Sequence, residues 1–503
     1  MFSLSLIVLS AALGVAEPPT GVSLTVYSSA SPREFDPQQF VAQQRLGSDP
    51  AFAWQVPGFG VVRETRTIAL KEGINDVPFT DVAAFIDPTS VGFTDLTHPS
   101  TSVMEQNFQF DLVSPSKLYE KYLGRSVTFE RTDGAGGTAH VTTGTLLSAN
   151  QGQFVVQTDQ GVQVLPADGT VASLGELPGG LITKPTLVWK LHSDAAGDHT
   201  VRTTYQTAGM TWRADYNLVL NAEETLAGLT PWVTLMNVSG VGFKNAQLKL
   251  IAGDVQKIQP TRDIMMRSRG MVAEAASPMG GGFEEESLFE YHLYTLPRPT
   301  DVLTNTTQQL VLFPPVAAVP VVKELVYQGL PDYWHGAGLI DQQDPGFPTN
   351  TKVGVYLRIE NDEKSSLGMP LPAGRVRVYK MSGGEDGTLE FVGEDIVDHT
   401  ARNASVRLKL GNSFDVTGER TATDFSVDQR RKTMTESFRI TLKNGKNAPQ
   451  RVTVRESLYR WTNWEITATS PDFRKVDART ITFDVEVPAG GLKSVDYTVK
   501  YTW

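Results

Sequence analysis

With 503 residues, a net charge of −11 and no cysteine, the chain has room for about three or four domains and no means of disulfide stapling or thiolate chemistry. Its acidic balance also disfavours partnership with nucleic acid or an anionic membrane, both of which call for a concentrated positive field. Stability must therefore come from burial and backbone pairing. Residues 1–16 form an apolar run with small residues at Gly14 and Ala16, closed by Pro18 and Pro19, and read as a secretory signal peptide cleaved after Ala16. No later stretch approaches the roughly 20 apolar residues of a membrane-spanning helix.

In chain order, residues 20–113 read as an N-terminal β-domain punctuated by Ile86-Asp87-Pro88. The clearest helix spans 114–124, where Pro115 suits a first turn, Leu118 and Tyr122 share a face, and Gly124 suits the C-terminal cap. A second helical pattern covers 38–46. Short strands at 126–130, 140–147, 153–157 and 162–165, separated by glycine-rich turns, predict a small, partly closed SH3-like or Sm-like barrel over 118–176. A β-sandwich domain follows over 182–320, interrupted by a long loop at 259–287 that carries Met265, Met266, Met271, Met279 and the acidic triplet Glu284-Glu285-Glu286. A C-terminal β-sandwich domain, 321–503, completes the chain.

Period-two alternation carries this reading. The sets Val353, Val355, Leu357, Ile359; Phe438, Ile440, Leu442; Ile481, Phe483, Val485, Val487; and Val495, Tyr497, Val499, Tyr501 each put apolar side chains on one face of an extended strand. The expected fold class is mainly β, with tandem β-sandwich domains and an inserted small barrel.

The run Tyr205-Gln206-Thr207-Ala208-Gly209-Met210-Thr211-Trp212-Arg213-Ala214-Asp215-Tyr216, with Asn237-Val238-Ser239-Gly240, Leu371-Pro372-Ala373-Gly374 and Phe391-Val392-Gly393-Glu394-Asp395, resembles a family of secreted bacterial proteins catalogued as a domain of unknown function. Relatives of that family include proteins labelled mucoidy inhibitor, and the resemblance spans about 182–503. It implies an extracytoplasmic location, periplasmic or at the cell surface, and a multi-domain β architecture. It brings no active site with it.

The residues themselves point away from catalysis. None of the seven histidines, His98, His140, His192, His199, His292, His335 and His399, forms a metal-spaced pair on a helix, although His192 and His199 bracket a turn and can approach across a hairpin. No nucleophile elbow and no phosphate-binding loop occur. The methionines of the 259–287 loop are irregularly spaced, with no histidine among them, and read as loop composition in preference to a Cu(I) site. Arg375, Arg377 and Trp212 form one conceivable ligand set. Trp461 and Trp464 lie on opposite faces of an extended strand, so that at most one faces solvent, where it would stand beside Arg460.

No catalytic, cofactor-binding or metal-binding residue is assigned. The expectation is a non-enzymatic envelope or surface protein that associates with other envelope or surface proteins as a scaffold or interaction module. Two alternatives stand beside it: a glycan-binding module built on the tryptophans, and a β-sandwich hydrolase with a carboxylate pair.

Overall fold

The structure is a computed structural model that describes residues 21–28, 36–38, 42, 50–109, 113–132, 139–150, 152–176, 185–253, 255, 283–288, 291–330, 338–344, 346, 349–382 and 387–503. The expected signal peptide, most of the 38–46 helix and residues 259–282 of the expected loop lie outside the described residues. The chain is mainly β, and its described residues are arranged in five sheets. Among the described residues no helix is long and apolar enough to cross a membrane.

The helix forms where its caps predict, over Pro115–Tyr122, with the Ser114 side chain accepting from the Lys117 N–H. Gly124 follows it at φ +76°, a left-handed value that glycine adopts without strain. Tyr122 then seals a small core with Val127, Phe129, Leu146, Phe154 and Val156 under a five-stranded antiparallel sheet. In that sheet Thr170–Ser173 returns to pair with Ser126–Thr132, and Gly161–Pro166 forms the opposite edge. Among the described residues the two outer strands are not hydrogen-bonded to each other, so the expected partly closed barrel does not close into a ring.

Strands pair across the boundaries expected on either side of this module. Gly21–Ser28 lies parallel to Phe243–Ala252 and antiparallel to Phe59–Leu70, which in turn pairs with Gly197–Thr207. Thr186–Ser193 sits between Gly73–Thr80 and Ser102–Gln109. Segments 20–113 and 182–320 therefore build shared sheets, and the small module is inserted between two strands that are themselves neighbours. The boundary at 320/321 is crossed as well: Gly374–Met381 runs parallel to Met210–Leu220 inside a six-stranded sheet. One continuous core consequently runs from Leu24 through Trp189 and Trp212 to Leu408.

Two further differences are local. Glu284–Leu288 is a strand paired with Tyr291–Thr295, so the acidic triplet belongs to a sheet edge and not to the 259–287 loop. The strand at the aromatic run begins only at Trp464, as Trp464–Ser470, which leaves Trp461 ahead of it.

The C-terminal sheet has nine strands, ordered Trp464–Ser470, Leu492–Thr502, Thr433–Asn444, Ser405–Asp428, Lys352–Glu360, Val322–Tyr327, Gln450–Ser457, Thr480–Val487 and Arg474–Lys475. Its inner face supplies a second core in which Tyr327, Phe438, Val454, Phe483 and Tyr497 meet. Its outer face positions the site described next.

Candidate functional site, a cationic groove on the nine-stranded sheet

Alternation decides which side chains reach this face. Along Gln450–Ser457, Val452 and Val454 enter the core, so Arg451, Thr453 and Arg455 point the other way. Along Thr480–Val487 the same logic buries Ile481, Phe483 and Val485 and turns Thr482 and Asp484 outward. Glu324, Arg358, Arg407 and Arg474 arrive from the neighbouring strands. Together they line a groove of about 540 Å³ with five cationic side chains, Arg358, Arg407, Arg451, Arg455 and Arg474, against two carboxylates, Glu324 and Asp484; Lys323 borders the groove but turns its side chain to the other face. In a chain of net charge −11 this is a local reversal of sign.

The two carboxylates are already engaged. Glu324 accepts from Arg358 Nε at 2.8 Å and from Arg407 Nε at 2.9 Å. The first of these bonds leads the effects that hold the Arg358 guanidinium above its ordinary value, against the opposing cost of burial. Arg407 also stacks its guanidinium 4.2 Å from the Tyr356 ring centroid. Asp484 accepts from Thr453 Oγ1 at 2.9 Å and lies 3.4 Å from Arg451 Nη2. Lys323 pairs with Glu224, which also holds Lys380 at 2.6 Å. Among the described residues Arg455 and Arg474 have neither a hydrogen bond nor an ion pair; Arg455 and the Asp477 carboxylate interact through space alone. The groove thus carries positive charge that its own carboxylates leave unneutralised.

The residues singled out in the sequence lie elsewhere. Trp212 is buried, donates to the Ile251 carbonyl and meets Tyr294 edge-on, on the core face of its strand. Arg377 lies on the opposite face of the same sheet, 3.8 Å from Asp215 Oδ1 and 3.5 Å from Glu394 Oε2. Arg375 pairs with Asp215 across the parallel strands, so Trp212 does not join the arginines in one site. Trp461 and Trp464 both pack, partly buried, against the second core. Trp464 donates to the Ala478 carbonyl and carries Lys475 Nζ 4.7 Å above its ring. Arg460, expected beside an exposed tryptophan, is fully buried.

The histidines separate too. His192 is exposed, 3.6 Å from Asp194, whereas His199 is buried against Asp95 at 2.5 Å, and their strands belong to different sheets. Among the described residues no group of three or more metal-ligating side chains is assembled.

Sequence reasoning passed over the groove because its cations come from four strands scattered between Arg358 and Arg474. The one local signal was Arg451-Val452-Thr453-Val454-Arg455, an alternating segment whose polar face is entirely cationic or hydroxylic.

The family described as domain of unknown function DUF4139 matches residues 201–503, a stretch that holds every residue of the groove. Comparison with curated proteins finds no match. Because the match spans more than half of the sequence, the chain belongs to the DUF4139 family.

Proposed function

We propose that this chain is a non-enzymatic binding module of the bacterial cell envelope or surface, and that its cationic groove holds an acidic glycan. The observation that carries the reading is the excess of five cations over two carboxylates in one groove, with Arg455 and Arg474 holding no hydrogen bond or ion pair among the described residues. Unneutralised guanidinium groups in a confined groove attract a polymer that brings anionic groups at intervals. The extracytoplasmic location expected from the apolar residues 1–16 belongs to the same proposal. A scaffold role toward other envelope proteins fits it as well, since a bound glycan is a means of anchoring.

A hydrolase reading is less favoured by the same groove. Glycoside hydrolysis needs one carboxylic acid that keeps a proton for the leaving group. Glu324 is clamped by two arginines, and Asp484 by Arg451 and Thr453.

Binding of the full chain to polygalacturonate, dextran sulfate and neutral dextran tests the proposal by titration calorimetry at several salt concentrations. The anionic polymers are expected to bind, weakening steeply with salt, and to lose about tenfold in affinity on Arg451→Gln, the scale of one lost charge-assisted contact. Equal binding of neutral dextran, or saturable cleavage of a polymer that Asp484→Asn abolishes, would overturn it.

A further inference from the structure

Within the groove, strand register sets three side chains in a row. Arg455 stands opposite Thr482, and Thr482 stands opposite Arg474, across three adjacent strands. Each step is one strand spacing, about 4.8 Å, so the two arginines flank Thr482 on one face of the sheet. Neither arginine makes a hydrogen bond or ion pair among the described residues. The Thr482 side chain is only 7 % exposed, yet its Oγ1 has no hydrogen-bond partner. Buried hydroxyls are rarely left unsatisfied, and Thr482 lines the groove.

We infer that the row Arg455, Thr482, Arg474 is the seat of a tetrahedral oxyanion, a phosphate or sulfate group. The inference builds on the groove reading above and names the group that the groove selects. A carboxylate offers two oxygens in one plane, which a single guanidinium satisfies. A tetrahedral group presents oxygens in several directions, and so takes a donor from each side and a third from the hydroxyl on the floor. Two like charges on one face of a sheet repel each other, and a phosphate or sulfate between them offsets that repulsion. Asp484, two residues along the strand from Thr482, does not fill the place, because Thr453 and Arg451 hold it. Asp477 is turned toward its own loop, where it accepts the Arg479 N–H at 2.8 Å.

Titration of the full chain with inorganic phosphate, sulfate and acetate reads the subsite directly. Phosphate and sulfate are expected to saturate one site, about tenfold or more tighter than acetate, and to weaken about tenfold on Arg455→Gln or Arg474→Gln. Thr482→Val is expected to weaken both tetrahedral anions several-fold while leaving the thermal midpoint unchanged or raised, since the hydroxyl has no partner in the free protein. Arg439→Gln, outside the groove, serves as the charge control. Acetate binding as tightly as phosphate, or affinities untouched by Thr482→Val, overturns the inference. The polymers separate the two readings. Binding of dextran sulfate that is indifferent to all three row substitutions refutes the subsite and keeps the groove. Phosphate held at the row, with no polymer bound, keeps the subsite and refutes the glycan reading.

Discussion

Arg460 and Glu436 form a two-point ion pair sealed inside the C-terminal unit, with Nε to Oε2 at 2.8 Å and Nη2 to Oε1 at 2.7 Å. The remaining guanidinium hydrogens reach the carbonyls of Ile340, Gln342 and Gln343, so one side chain ties the strand of Glu436 to a loop that lies more than a hundred residues from Arg460 in sequence. Beside it Arg420 binds Glu456, whose Oε2 also accepts from Tyr497 at 2.5 Å. Charges taken this far out of water persist only when they are paired in this way.

Breaking that pair is expected to be costly. Arg460→Met strands the Glu436 carboxylate, and a loss of about 3–5 kcal/mol is expected in urea unfolding. The double variant Arg460→Met, Glu436→Gln should lose clearly less than the two single losses combined. Additive losses would mean that the pair is not coupled.

Asp95 links stability to acid. Burial alone raises an aspartate, but here the His98 N–H, His199, Thr101 and Thr97 outweigh it and hold the carboxyl at about 2, below the ordinary 3.8. Because the folded value lies below the unfolded one, the contribution is complete above pH 3.8 and is lost as pH falls toward about 2. Asp95→Asn should lower stability at neutral pH and flatten this acid limb, as read by thermal melts across that window. An unchanged limb would assign acid sensitivity to other carboxylates.

The Leu371-Pro372-Ala373-Gly374 segment is expected to be structural. Tyr216 donates to the Pro372 carbonyl at 2.8 Å and Tyr294 to the Pro370 carbonyl at 3.0 Å, while burial pushes both phenols well above their ordinary value. A Cβ at Gly374 would overlap the Ala214 carbonyl oxygen, backbone that has little room to move. Gly374→Ala should therefore cost about 1–3 kcal/mol, and Tyr216→Phe about 1 kcal/mol, in equilibrium unfolding. Polymer binding at the groove should stay unchanged in any Tyr216→Phe protein that folds.

Removal of residues 495–503 is expected to unfold the C-terminal unit. Leu492–Thr502 pairs with strands on both sides and buries Val495, Tyr497, Val499 and Tyr501. The truncated chain should lose the cooperative transition of that unit in calorimetry and lose groove binding with it. Retention of both would show that the strand is dispensable.

What the sequence determined by itself was local. Alternation identified the strands and their buried faces, as at Ile481, Phe483 and Val485, because a period of two is a property of the chain alone. Pro115 and Gly124 marked a helix because end signals act within one turn. Only the tertiary structure decided the neighbours. Nothing near Gly21–Ser28 encodes its parallel partner Phe243–Ala252, and nothing near Arg455 encodes Arg474 two strands away across Thr482. Arg460 reads as a surface cation until Glu436 and three carbonyls close around it. Strand edges all offer the same N–H and C=O groups, so partner choice rests on which faces fill one core together, and that is settled by the whole chain at once.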